Sequence, residues 1–129
     1  EVPYIIDVTR RIPGDFYPYL MEYCDKIEYS KAVVKSYIGE SLNSELIATK
    51  RQNFVIRHCV MSDKNGIFMG IIIDETLKDS VIFRVDLMQK NTEISNFLIS
   101  QIAIIFIQIL IKDIQTIKNI NNLIYPVVV

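Results

Sequence analysis

Residues 6–15 read IDVTRRIPGD, and this stretch decides how the fold of the chain is interpreted. The apolar run from Tyr4 to Val8 predicts a β-strand, and Pro13 with Gly14 predicts the polar loop that ends it. Charged side chains therefore gather where a predicted strand ends, an arrangement that suits a binding site.

Three polar side chains alternate along this segment. Because successive side chains point to opposite faces of a strand, we expect Asp7, Thr9 and Arg11 on one face and close together. A carboxylate and a neutral oxygen are hard ligands suited to Mg²⁺, and the planar guanidinium of arginine matches the oxygens of a phosphate. From spacing alone, the same pattern also fits a solvated strand end with an incidental ion pair.

The stretch resembles the last active-site strand of ATP-grasp enzymes, which typically reads Glu-x-Asn-x-Arg before a loop that contains glycine. Residues 11–15, RIPGD, are similar to the Arg-x-x-Gly-Asp loop of carboxylate-amine ligases of the amino-acid ligase type. The resemblance continues through residues 15–29, DFYPYLMEYCDKIEY, and through a further helix that ends at residues 39–40. It implies that the chain is the C-terminal fragment of a larger ATP-grasp ligase.

The resemblance also implies roles for individual residues. Asp7 would be the carboxylate that binds the metal, and Thr9 would stand where relatives carry the metal-binding Asn. Arg11 would be the catalytic residue that holds the transferred phosphate, and the three side chains together would contact ATP and Mg²⁺. Asp15 would bind the substrate amine, although an Asp after a Gly is also an ordinary helix N-cap.

The implied reaction is phosphoryl transfer from ATP to a small carboxylate. The resulting acyl-phosphate would be attacked by a small amine, and catalysis would depend on positioning and on charge neutralisation. In the family, the lysines and the Gly-rich lid that hold ATP lie upstream, so we expect this chain to be inactive alone. The competing interpretation is a non-catalytic binding module, or a homodimer formed through an Ile-rich surface.

Composition argues against several other classes of protein. The 129 residues include 14 basic and 15 acidic side chains, for a net charge of −1, so no strong field would attract nucleic acid or anionic lipid. We expect Cys24 and Cys59 to be reduced, as in a cytoplasmic protein. His58 shares a strand face with Phe54 and Ile56, which favours a packed histidine over a metal ligand or a catalytic base.

One segment has nearly the length of a membrane-spanning helix. Residues 94–111 read ISNFLISQIAIIFIQILI, with polar side chains inside the run and no aromatic residues at its two ends. Its many isoleucines favour a buried strand, and we expect no membrane segment.

The chain is predicted to have an α+β fold with two N-terminal helices packed on a mainly antiparallel sheet and with a C-terminal helix. Residues 1–40 would end the catalytic domain, and residues 41–129 would form a sheet subdomain in the same folding unit. The two helices are expected at Tyr17 to Cys24 and at Ser30 to Ile38, with Ser30 as N-cap and Gly39 as the left-handed stop.

The second half of the chain is predicted to consist mainly of strands. The clearest signal is a hairpin of residues 54–61 and 67–73, joined by a turn that contains Asn65 and Gly66. The later elements are expected to be strands at 81–88 and 102–109, a helix at 113–120 and an edge strand at 123–129.

Overall fold

The computed structural model describes residues 14–42, 54–109 and 114–129. The chain divides into two compact units, Glu1–Asn53 and Phe54–Val129. The first contains helices and the second contains antiparallel sheets, so the predicted α+β class is confirmed. The predicted strand from Tyr4 to Val8 lies outside the described residues. The boundary predicted at residues 40 and 41 stays a prediction.

Two helices make up the described part of the first unit. They are α1 (Tyr17–Asp25) and α2 (Tyr29–Tyr37), within one residue of the expected positions. Gly39 follows α2 with a φ of 76°, which confirms the predicted left-handed stop. Ala32 is the buried residue of α2, and Tyr37 near its C-terminus is 76% exposed.

The predicted N-cap of α2 is wrong. Glu28 occupies the N-cap position, and Ser30 is the second residue of the helix. The backbone N–H of Ser30 donates a hydrogen bond of 2.7 Å to Oε1 of Glu22, in α1. A carboxylate from the preceding helix thus satisfies an N–H that a capping side chain would otherwise satisfy.

The described residues of the second unit form six strands and two helices. In chain order they are β1 (Phe54–Met61), β2 (Gly66–Ile73), α3 (Glu75–Lys78), β3 (Val81–Asp86), β4 (Glu93–Ile94), β5 (Gln101–Ile109), α4 (Ile114–Leu123) and β6 (Ile124–Val128). The strands form two antiparallel sheets of three, with the orders β1-β5-β3 and β4-β2-β6. β6 is an edge strand, as predicted. α3 and β4 are short and had no clear signal in the sequence.

The predicted hairpin between β1 and β2 is wrong, although both strands are present. β1 pairs with β5, and β2 pairs with β4 and β6. A two-residue turn of the expected type needs a positive φ at Asn and at Gly, but only Gly66 has one, at 149°. The side-chain oxygen of Asn65 instead accepts a hydrogen bond of 2.9 Å from the backbone N–H of Phe97. The connection therefore passes from one sheet to the other.

β5 is the most buried strand of the second unit. Residues 102–107 are buried on both faces of the strand, which explains why this segment is continuously apolar rather than alternating. The run of isoleucines that resembled a membrane segment is thus a core strand, as predicted. Among the described residues, no helix has the length and apolar character needed to cross a membrane.

Candidate functional site

Most of the predicted site lies outside the described residues. Asp7, Thr9 and Arg11 fall in residues 1–13, so their predicted convergence on one strand face stays a prediction. Asp15 is described and lies immediately before α1.

The backbone at Asp15 has an uncommon conformation. Its φ is 57°, and Phe16 follows with a φ of 61°, so two residues other than glycine adopt the left-handed region in succession. Phe16 occupies the N-cap position of α1 and makes no side-chain capping bond, so Asp15 is not the N-cap. Left-handed residues other than glycine store strain and are concentrated at binding sites, which keeps the loop of residues 14–16 a candidate.

The tyrosines of α1 are partly exposed rather than core residues. Tyr19 and Tyr23 stack with their ring centroids 6.2 Å apart, and the Nζ of Lys26 lies 4.9 Å from the Tyr23 centroid. Tyr17 is 48% exposed. The stacked pair lies along the surface of the helix, and its Tyr23 ring also contacts a cation.

In the described part of the chain, no group of three or more His, Cys, Asp or Glu side chains could hold a metal ion. The two cysteines, Cys24 and Cys59, are not joined in a disulfide. The Sγ of Cys59 accepts a hydrogen bond of 2.8 Å from Nη1 of Arg57, its neighbour on the same face of β1.

A cleft of about 670 Å³ opens in the second unit, between the ends of β1, α4 and β6. Its wall includes two polar pairs that are adjacent in sequence, at residues 62–63 and 121–122, and the ring of Tyr125. Ser62 is buried, and its hydroxyl both donates to and accepts from the backbone of Lys64. Asp63 is the one charged side chain among the described residues of this wall.

His58 forms part of the cleft wall and is buried, with 7% of its surface exposed. Burial lowers the pKa of His58, and a hydrogen bond with the backbone of Ile124 acts in the opposite direction. The imidazole is therefore neutral near pH 7. The prediction of a packed histidine is confirmed.

Sequence reasoning did not single out Asp63, Asn121, Asn122 or Tyr125. These residues come from a loop, a helix end and an edge strand, and the sheet pairing that joins the three places could not be predicted from local patterns. A pair of asparagines at the end of an apolar helical segment is the one signal that could have indicated a polar site.

Comparisons with known proteins support one likeness. No family model and no curated protein matches the sequence. A solved structure of phosphoribosylglycinamide synthetase from Anaerococcus prevotii has a similar fold, with a TM-score of 0.68 over 98% of this chain and 23% sequence identity. The chain spans about a third of that protein, 34% of its length. That synthetase has an ATP-grasp fold, so the resemblance predicted from residues 6–15 is confirmed at the level of the fold.

Proposed function

We propose that this chain is part of an ATP-dependent ligase that joins a carboxylate to an amine through an acyl-phosphate. The observation that carries the proposal is the agreement of two independent features. The motif in residues 6–15 resembles that of an ATP-grasp active-site strand, and the fold over 98% of the chain is similar to that of an ATP-grasp synthetase.

The name of the solved synthetase supports the reaction class. Phosphoribosylglycinamide is an amide of glycine, so the synthetase forms a bond between a carboxylate carbon and a nitrogen. A protein of the same fold that carries the same kind of strand motif is well suited to this chemistry. The fold does not specify the substrates, because specificity depends on the shape of each pocket.

The proposed roles follow the sequence motif. Arg11 would hold the transferred phosphoryl group with the planar fork of its guanidinium, and so offset the charge that builds up on the phosphate oxygens. Asp15 would bind the amino group of the amine substrate from a loop in which its own backbone is strained, with a φ of 57°. ATP and both substrates would be small molecules positioned mainly by electrostatic contacts.

Magnesium is the metal proposed for this site. The carboxylate of Asp7 and the hydroxyl of Thr9 would be its protein ligands, and both are oxygen donors of the kind that Mg²⁺ prefers. When bound, the ion would neutralise charge on the phosphates.

The experiment is an assay of ADP release by the full-length protein that contains this chain. Release should require a carboxylate, and hydroxylamine should trap the acyl-phosphate as a hydroxamate while no amine is present. Amine-stimulated ADP release without any hydroxamate would remove the acyl-phosphate from the proposal. A full-length protein that neither binds nor hydrolyses ATP would instead favour the non-catalytic binding module.

A further inference from the structure

Among the described residues, the wall of the cleft between β1, α4 and β6 has one charged side chain, the carboxylate of Asp63, and no basic side chain that offsets it. Lys64 and Lys118 lie near wall residues in sequence but contribute nothing to the wall. Among the described wall residues, His58 is the one with a titratable nitrogen, and its burial keeps the imidazole neutral near pH 7.

The C-terminal end of α4 adds to the negative electrostatic potential of the cleft. Asn121 and Asn122 lie in the last turn of the ten-residue helix, and that turn has no basic residue. The C-terminus of a helix carries a partial negative charge, and the effect is confined to the last turn. The helix end and Asp63 therefore act together on a ligand in the cleft, and both favour a cation.

Hydrogen-bond acceptors are available in the same place. In the described part of the chain, the side chains of Asp63, Asn121 and Asn122 form no hydrogen bond or ion pair. Their carboxylate and amide oxygens can accept hydrogen bonds from a ligand. The ring of Tyr125 is 42% exposed and lines the cleft, where an aromatic face can contact a cation or an apolar group.

We propose that this cleft binds a small molecule that carries a primary ammonium group. Asp63 would be the counter-ion, the amide oxygens of Asn121 and Asn122 would accept hydrogen bonds from the ammonium, and Tyr125 would contact the attached carbon atoms. A cleft of about 670 Å³ has the size of ordinary small-molecule sites. The inference rests on the second unit alone and does not depend on the proposed ligase activity.

The test is a titration of the ¹⁵N-labelled chain with three probes of one shape: benzylamine, benzyl alcohol and benzoate. Near pH 7 they are a cation, a neutral molecule and an anion. Benzylamine should give saturable NMR shifts at Tyr125 and at the side-chain amides of Asn121 and Asn122. Its affinity should exceed that of the alcohol by about tenfold, which corresponds to about 1.4 kcal/mol, and benzoate should bind more weakly still.

Three variants test whether Asp63 is the group that makes the cleft prefer a cationic ligand. Asp63→Asn should weaken benzylamine binding by about tenfold and leave benzyl alcohol binding unchanged. Asp79→Asn is the matched control, since Asp79 lies outside the cleft wall, and it should bind benzylamine normally. Asn122→Asp adds a second carboxylate and should tighten binding.

Three results would overturn the proposal. They are benzoate binding as tightly as benzylamine, an unchanged benzylamine affinity in Asp63→Asn, or a lack of saturable shifts at these residues. Unchanged thermal midpoints of the variants would show that each result concerns binding rather than folding.

Discussion

The imidazole of His58, in β1, forms a hydrogen bond with the backbone of Ile124, in β6, and so connects the edge strands of the two sheets. Burial lowers the pKa of His58 in the folded state. Below about pH 6.5 the unfolded chain therefore binds a proton more readily than the folded chain does. The free energy of unfolding should fall as the pH falls below this value, by up to about 1.4 kcal/mol per pH unit. Urea titrations between about pH 7.5 and pH 5.5 would measure the slope.

The control for this prediction is His58→Gln. The chain has one histidine, so the substitution removes the side chain whose ordinary pKa lies above those of the carboxylates and just below neutral pH. Its unfolding midpoint should be lower than that of the wild type at pH 7 but nearly independent of pH in this range. The same slope in both proteins would show that His58 is not responsible.

Gly66 marks the place where the chain passes from one sheet to the other. A Cβ there would lie 2.4 Å from the carbonyl oxygen of Val129, and the φ of 149° is unfavourable for other residues. Gly70 has a similar φ of 155°, but its nearest neighbour, Cε of Lys90, would be 3.5 Å away. Gly66→Ala should therefore cost more stability than Gly70→Ala by at least about 1 kcal/mol, measured by chemical unfolding. Equal losses would mean that backbone strain, rather than the contact with Val129, determines the effect.

Asn65 is predicted to act through its side chain rather than through turn geometry. Its Oδ1 accepts a hydrogen bond from the N–H of Phe97, which is 32 residues away in sequence. Asn65→Ala removes the acceptor and should cost about 1 kcal/mol, whereas Asn65→Asp keeps an acceptor and should cost less. Unfolding midpoints that fall equally in both variants would contradict this role.

Asp15 offers a way to separate folding from binding. Asp15→Ala and Asp15→Gly both remove the carboxylate, but only glycine adopts a φ of 57° without cost. Asp15→Gly should therefore be more stable than Asp15→Ala by about 1 kcal/mol, while both should raise the KM for the amine equally in the full-length protein. A KM that matches the wild type in both variants would remove Asp15 from the proposed substrate site.

Sequence patterns predicted the elements better than their pairing. The helical spacing of residues 17–25 and the alternation of residues 54–61 are local properties, so α1 and β1 were found at nearly the right bounds. The partner of a strand depends on contacts between distant segments, and β1 pairs with β5, forty or more residues away. The Asn-Gly signal predicted a hairpin turn, but Gly66 begins β2, and the local pattern could not reveal that the N–H of Phe97 would donate to Asn65.

At the candidate sites, too, features that are local in sequence could be predicted, and features that depend on distant segments could not. The resemblance of residues 6–15 to an ATP-grasp strand could be read from a linear motif, and the fold of the chain is similar to that of an ATP-grasp synthetase. The active-site strand itself lies outside the described residues and stays a prediction. The cleft at Asp63 could not be predicted, since its wall depends on how β1, α4 and β6 end near one another. The capping of α2 by Glu22 was missed for a similar reason, because Ser30 looked sufficient as a local cap.

The proposed ligase activity is tested most directly by the rate of ADP formation in the full-length protein carrying Arg11→Ala, compared with Arg10→Ala. Arg10 is predicted to face away from Asp7 on the same strand, so it controls for the loss of one positive charge. Arg11→Ala should lower the rate by at least about a thousandfold with little change in the thermal midpoint, and Asp7→Asn should do the same, while Arg10→Ala stays near the wild-type rate. Wild-type ADP formation in Arg11→Ala, or an equal loss in Arg10→Ala, would contradict the assignment of this strand to the active site.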